Sequence, residues 1–162
     1  MNTDSNDDLF NDPILSAIEK VELLMRCIDV QDVSKSNIGK SFRGRCRELP
    51  GLIDDVGFTP AMSFCYGKSG QKTYEEIKKT LDNEGKLSDE KETERGYGIY
   101  LYFLLKRLRE LELIDDNQLS NPVKGLTEIR KKGKERIATR IIRPFIAQLK
   151  KLSEAVFEAE ET

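Results

Sequence analysis

The sequence contains no histidine among its 162 residues, and this absence excludes more chemistry than any other feature. Without imidazole the chain cannot build a His-dependent catalytic triad or the HD and zincin types of metal site. It also lacks the usual general base near neutral pH. Acid–base work by carboxylates, Lys or Tyr stays open. The absence of histidine nevertheless favours a protein that is not an enzyme.

Cysteine is scarce as well, and long apolar runs are missing. Cys27, Cys46 and Cys65 are odd in number and form no CxxC pair, so we expect no disulfide framework, no zinc site and no cofactor. The three thiols are more typical of small core residues. No apolar run reaches the roughly 18 residues of a membrane helix. The first twelve residues carry four aspartates and no Lys or Arg, unlike a signal peptide. We therefore expect a cytoplasmic protein with no membrane contact.

Length and composition predict an all-α protein. A chain of 162 residues suits one domain, and 35% charged against 38% apolar residues is typical of helices with solvated faces. We expect a single compact bundle of about five to seven helices. The domain boundaries predicted are a disordered acidic N-terminus over 1–12, a helical domain over 13–159 and an acidic C-terminal end over 160–162.

Apolar periodicity places the helices within that domain. Asp12-Pro13 is a cap followed by proline, a strong helix start. Pro144 should kink the last helix or mark its true start. The tyrosines at 97, 100 and 102 favour core packing over base stacking. The predicted helices cover 13–32, 37–48, a short stretch from Pro50, a stretch after Thr59-Pro60, 73–81, 93–113 and 134–159.

Charge is distributed unevenly although the net charge is only −2. Residues 34–47 carry five Lys or Arg and no acid, and residues 124–151 carry ten against two glutamates. Residues 1–12 and 152–162 are acidic. A polyanion responds to the local field rather than to the average, so two basic blocks in an acidic frame indicate a nucleic-acid partner.

Both basic blocks form helix faces. At 100° per residue, Arg136, Arg140, Arg143, Lys150 and Lys151 share one arc, which Lys132 joins if the helix extends back that far. The opposite side carries an apolar stripe of Ile137, Ile141, Phe145, Leu149, Leu152 and Val156. On the second helix Lys40, Arg43 and Arg47 share a face opposite Phe42, Cys46 and Leu49.

A face of charged residues is often only a solvated surface, but these two are nearly free of acids and rich in arginine. Solvated faces normally mix signs, and guanidinium groups make bidentate contacts with phosphate. Such contacts hold the RNA backbone without reading bases and weaken with salt. We expect the two blocks to converge in one trough. The candidate RNA-binding residues are Lys40, Arg43, Arg45, Arg47, Lys132, Arg136, Arg140, Arg143, Lys150 and Lys151.

Two segments resemble a known family. Residues 45–69, RCRELPGLIDDVGFTPAMSFCYGKS, contain a helix ending in Leu49-Pro50, a turn through Gly57-Phe58 and a small apolar helix from Ala61 to Ser69. Thr139 through FIAQLKKLSEA, ending at Ala155, is similar to a closing amphipathic helix. This pattern resembles the small α-helical subunit of type III-B CRISPR effector (Cmr) complexes, over roughly 13–69 and 97–155.

The resemblance implies a non-catalytic role in antiviral defence. Such subunits stack beside one another along the complex, contact guide and target RNA, and bind other Cmr subunits. The related small subunit of type III-A complexes stays a possible reading. So does a protein–protein adaptor whose basic face meets an acidic partner without touching RNA. A nuclease ranks lower, because neither histidine nor a convincing carboxylate cluster is present.

Overall fold

The computed structural model describes residues 12–161, and over that range the predicted all-α architecture is confirmed. Two strands of two residues, β1 and β2, are the only sheet there. The elements of the described range are α1 Pro13–Cys27, β1 Ile28–Asp29, a 3-10 turn Val33–Lys35, α2 Asn37–Val56, α3 Phe58–Ser69, α4 Gln71–Asp82, β2 Leu87–Ser88, α5 Glu92–Glu110, α6 Asp116–Ser120, α7 Pro122–Lys131, α8 Glu135–Ile141 and α9 Arg143–Val156. The disorder predicted for the N-terminus falls on residues 1–11, outside the described range.

Helix α5 is the centre of the bundle. Its sequence predicted one broad apolar face, but every residue from Arg95 to Leu105 is buried, because α2, α3 and α4 surround it. Gly96 brings the α5 backbone against Ser41 of α2, where a Cβ would collide with the Ser41 side chain. The tyrosines at 97, 100 and 102 are buried, which confirms their interpretation as core residues. The three cysteines are also buried and free.

Helix α1 begins as predicted and ends early. The Asp12 carboxylate accepts hydrogen bonds from the backbone N–H groups of Ile14 and Leu15 at 2.8 and 3.2 Å. The helix stops at Cys27 rather than near 32, because β1 leaves it to pair in parallel with β2. Because this pairing joins two segments that are distant in the sequence, helical periodicity alone could not reveal it and overestimated the length of α1.

Pro50 does not break α2, contrary to the sequence prediction. The helix runs unbroken to Val56, so the short helix predicted from Pro50 is its last two turns. The apolar stripe of its first half continues through Leu49 and Ile53, both fully buried against the core. Packing of that stripe outweighs the hydrogen bond that proline removes. Gly57, with φ of 95°, then reverses the chain directly into α3.

The long helix predicted over 134–159 is two helices. α8 ends at Ile141 and α9 starts at Arg143, so Pro144 lies in the first turn of α9, the true start that the sequence offered as one option. The buried face also differs from the predicted apolar stripe, because Ile137 is 44% exposed while Ala138 and Ile142 are fully buried. The cationic side chains of both helices stay outside.

Candidate nucleic-acid interface

Helices α2 and α9 lie side by side and antiparallel. A guanidinium N–H of Arg43, near the start of α2, donates to the carbonyl of Phe157 just beyond the end of α9, at 2.8 Å. Near the other end of α2, Asp54 Oδ1 lies 3.3 Å from Arg143 Nη2 at the first residue of α9. These two contacts fix the register, and they bring one basic block directly against the other.

The register places Arg47 and Lys150 at the same groove. On α2, Arg43, Arg47 and Asp54 fall within about 40° of one another, so Arg47 lies on the stripe that faces α9. On α9, Arg143 and Lys150 are seven residues apart and share the stripe that faces α2. The side chains of Arg47 and Lys150 are both exposed, and neither has a hydrogen bond or ion pair to residues 12–161. We call this surface, formed by Arg47, Asp54, Arg143 and Lys150, the α2–α9 groove.

Helix α8 extends the basic surface beyond the groove. Arg136 and Arg140 are exposed on it, one turn apart, and within the described range neither has an ion-pair partner. Ile142, between α8 and α9, keeps helical backbone angles of −77° and −19°, so the cationic stripe continues across the junction into Arg143. The predicted exposed stripe is therefore present on both helices.

Helix α8 is positioned by contacts to the start of α3. The backbone N–H of Thr59 donates to Glu135 Oε1 at 2.7 Å, and the Thr59 hydroxyl also bonds to that carboxylate. The backbone N–H of Phe58 donates to Thr139 Oγ1 at 3.1 Å. These side chains bind amide groups that the first turn of α3 leaves unpaired, so α8 serves as the cap of a neighbouring helix.

Arg43 and Arg45 are not free cations, and this corrects the picture of an uncovered basic face on α2. Arg43 bonds to the main chain at the end of α9. The Arg45 side chain is only 11% exposed, lies 4.6 Å over the ring of Tyr97, and pairs with Glu160 at 3.0 Å and Glu48 at 3.5 Å. The chain that follows α9 folds back onto α2, and the spacing of charges along the sequence does not reveal this.

The remaining candidates lie outside the groove. Lys40 is half-buried in a depression that Glu160 and Glu161 also line. Lys132 is exposed at the end of α7, but Gly133, with φ of 68°, turns the chain there, so Lys132 is not on the α8 stripe. Lys151 is exposed on α9, about 100° around the helix from Lys150.

Asp54 and Glu160 are the two site residues that sequence reasoning missed. Asp54 was not among the candidate residues, yet it lies in the groove beside Arg143. Its position seven residues after Arg47, on the same helical face, is the signal that could have identified it, had α2 been predicted to continue past Pro50. Nothing in the local sequence marks Glu160 as the partner of Arg45.

Acidic and thiol groups elsewhere have structural roles. Asp115 caps α6, and Asp116 pairs with Arg109 at 2.7 Å. Burial raises the pKa of the Cys65 thiol to about 12, as expected for a core residue. Over residues 12–161 no three His, Cys, Asp or Glu side chains are grouped to hold a metal ion. In the same range no helix is both long and apolar enough to cross a membrane.

Comparison with known proteins agrees with the predicted resemblance. No curated protein matches this chain. A chain of the cryo-EM structure of the type III-B Cmr-beta complex bound to non-cognate target RNA is similar, with a TM-score of 0.78 and 19% identity over 92% of this chain and 98% of that chain. A chain of the type III-B Cmr-beta structure bound to cognate target RNA and AMPPnP gives 0.77 and 18%, over 93% and 99%. The family model described as CRISPR-associated protein (Cas_Cmr5) matches residues 21–156, and this chain therefore belongs to that family.

Proposed function

We propose that this chain is the non-catalytic small subunit of a type III-B CRISPR effector complex and that it contacts guide or target RNA through the α2–α9 groove and α8. Family membership and a fold shared with chains of RNA-bound Cmr-beta complexes support the assignment to such a complex. The observation that carries RNA contact is the exposed row of Arg136, Arg140, Arg143 and Lys150, with Arg47 across the groove.

This row suits phosphates rather than bases. Arginine presents paired donors to a phosphate, and the exposed side chains lie along two adjacent helices instead of around a pocket. The tyrosines that the sequence offered for base stacking, Tyr97, Tyr100 and Tyr102, are in the core. The contact is therefore expected to hold an RNA backbone of any sequence and to weaken steeply with salt.

Contacts with neighbouring subunits, including copies of this chain, are assigned to apolar side chains that the bundle leaves exposed. Ile14 and Leu15 lie at the start of α1 and are 48% and 43% exposed. Phe64 on α3 and Val123 on α7 are also exposed. Large apolar side chains at the rims of a subunit are typical of protein interfaces, so they suit stacking within a larger assembly.

Binding to single-stranded RNA tests the proposal. In the double variant Arg140→Glu, Arg143→Glu, we expect affinity at low salt to fall at least tenfold, and the slope of log K against log salt to shrink by about 1.4, which corresponds to two lost phosphate contacts. The matched control is Lys72→Glu, Lys79→Glu, which makes the same charge change on exposed residues of α4. Fluorescence anisotropy at several salt concentrations measures both quantities.

An adaptor that touches only proteins is the competing reading, and the same titration separates the two. An adaptor would bind RNA weakly, and both double variants would lose a similar part of that affinity, because only net charge would matter. Circular dichroism should show unchanged helix content in each, since all four side chains are on the surface. Equal affinities for the two double variants would refute RNA contact at the groove.

A further inference from the structure

The chain beyond α9, residues 157–161, folds back along α2 instead of leaving the bundle. Phe157 is 2% exposed, and its ring fills the space over Gly39, where any Cβ would collide with it. The backbone N–H of Glu158 donates to the carbonyl of Ser34 at 2.8 Å. We call residues 157–161 the acidic segment. Aromatic and main-chain contacts fix its path along the helix.

Carboxylates of the acidic segment lie on the basic face of α2. Glu160 Oε1 is 3.0 Å from Arg45 Nη2. Glu160 and Glu161 also line the depression that contains Lys40, together with Glu92 from the start of α5. Arg45, one of the cations predicted to meet RNA, therefore already has an anionic partner within the chain, and Lys40 lies in the same depression as two carboxylates of the acidic segment.

The Arg45 guanidinium would stay in place if Glu160 left. It lies 4.6 Å over the Tyr97 ring, and Glu48, one turn along α2, holds it at 3.5 Å. A guanidinium held in this way loses little freedom on meeting a phosphate. The basic face of α2 could therefore bind an anion of another molecule without rearrangement, and the acidic segment covers that face.

We propose that the acidic segment is an internal competitor for RNA: its carboxylates cover Lys40 and Arg45 in the free chain, and RNA phosphates displace them. This inference rests on the proposed function, because it requires RNA at the neighbouring groove. RNA held by Arg47 and Lys150 would bring phosphates to the edge of the covered face. The chain would then bind short or weakly held RNA poorly and extended RNA well.

Two variants uncover the face by different means. Glu160→Gln removes the charge that faces Arg45, and Gly44→Ala keeps all charges but places a methyl group where the Glu160 carboxylate lies. The control is Glu22→Gln, because the Glu22 carboxylate has no hydrogen bond or ion pair to residues 12–161 and lies on the exposed side of α1, away from that helix's buried residues. It reports the effect of net charge alone.

With a single-stranded 20-nucleotide RNA, we expect Glu160→Gln and Gly44→Ala to bind about three- to tenfold more tightly than the unchanged chain. The slope of log K against log salt should steepen by about 0.7 for each cation that gains a phosphate. Adding Arg45→Ala to Glu160→Gln should abolish most of the gain. Glu22→Gln should stay within twofold of the unchanged chain.

Displacement can also be observed directly. The three native cysteines are buried, so Ala159→Cys, at an exposed position of the acidic segment, accepts a nitroxide label selectively. We expect RNA to increase the mobility of the label in its electron paramagnetic resonance spectrum. In the Glu160→Gln background the label should be mobile before RNA is added.

The outcomes separate the two proposals. If the unchanged chain binds RNA, while Glu160→Gln and Gly44→Ala bind no better and the label stays immobile, the competitor proposal is wrong and the proposed function stands. If no variant binds RNA at low salt, the proposed function fails, and the competitor proposal fails with it. If Glu160→Gln and Gly44→Ala bind RNA while the unchanged chain does not, both the proposed function and the competitor proposal are supported.

Discussion

Asp54 of α2 and Arg143 of α9 meet across the α2–α9 groove, with 3.3 Å between Oδ1 and Nη2 and more than half of each side chain exposed. An exposed pair of this kind contributes little to stability, about 0–1 kcal/mol. Its consequence is electrostatic, because the carboxylate lies among the cations that define the groove. A phosphate approaching Arg143 has to compete with it.

Asp54→Asn should therefore strengthen RNA binding. Without the Asp54 carboxylate, Arg143 has no competing partner and an approaching phosphate is no longer repelled by a negative charge. We therefore expect the affinity for RNA to rise about two- to fivefold, in line with the energy of an exposed pair. Anisotropy titration with single-stranded RNA measures the change. Asp55→Asn is the control, since Asp55 is exposed, adjacent and without an ion-pair partner in residues 12–161. Equal gains for both variants would show that only net charge matters.

The exposure of the cationic side chains was predictable because it depends only on the local helical pattern. Apolar side chains at helical spacing place Arg47, Arg140 and Lys150 on the solvent side, whatever the rest of the chain does. The start of α1 was predictable for the same reason, since Asp12 caps a helix with its own next residues.

Features that depend on distant segments were not predictable. The burial of α5 on all sides requires three neighbouring helices to surround it, which one helical pattern cannot encode. The covering of Arg45 requires Glu160, 115 residues away, to return along α2 after Phe157 docks over Gly39. Continuation of α2 through Pro50 is similar, because the stripe of Leu49 and Ile53 is stabilised by a core that forms only in the folded chain.

A buried ion pair links α1 to α5 and makes a stability prediction possible. Lys20 Nζ lies 2.6 Å from Glu110 Oε2, with side chains 4% and 14% exposed. Ser16 and Arg107 also bond to that carboxylate. Glu110→Gln leaves the Lys20 ammonium buried without its counter-charge, so we expect the free energy of unfolding to fall by about 3 kcal/mol. Urea denaturation followed by circular dichroism measures this loss.

The control for that variant is Glu84→Gln. Glu84 pairs with Arg26 at 3.1 Å, but both side chains are more than half exposed, so the expected loss is below about 1 kcal/mol. A loss at Glu110 no larger than at Glu84 would contradict a stabilising role for the buried pair.

The same pair predicts a pH dependence. Burial alone would raise the pKa of the Glu110 carboxyl, but Lys20 and the hydrogen bonds from Ser16 and Arg107 hold it below the ordinary value of 4.5. The folded chain thus binds this proton more weakly than the unfolded chain. The stabilisation that ionised Glu110 gives the folded chain is fully present above the ordinary pKa of 4.5, and it is lost as pH falls through the lower pKa of the folded chain. The stability difference between the unchanged chain and Glu110→Gln should narrow in acid.

The last prediction concerns the anchoring of α8, which carries Arg136 and Arg140. In Glu135→Ala the amide of Thr59 loses its carboxylate acceptor, and of the side-chain hydrogen bonds described between α8 and the start of α3 only that of Thr139 remains. Loss of a helix cap costs about 1 kcal/mol, which corresponds to about fivefold faster local opening.

Hydrogen exchange tests that prediction. The amides of α8 and the first turn of α3 should exchange about fivefold faster in Glu135→Ala, while those of α5 should not change, because the effect is local rather than global. RNA affinity should fall about two- to threefold, since two cations are then held less firmly beside the groove. Glu22→Ala, which removes an exposed carboxylate from α1, serves as the control. If exchange accelerates equally throughout the bundle, Glu135 stabilises the whole fold and does not act as a specific anchor for α8.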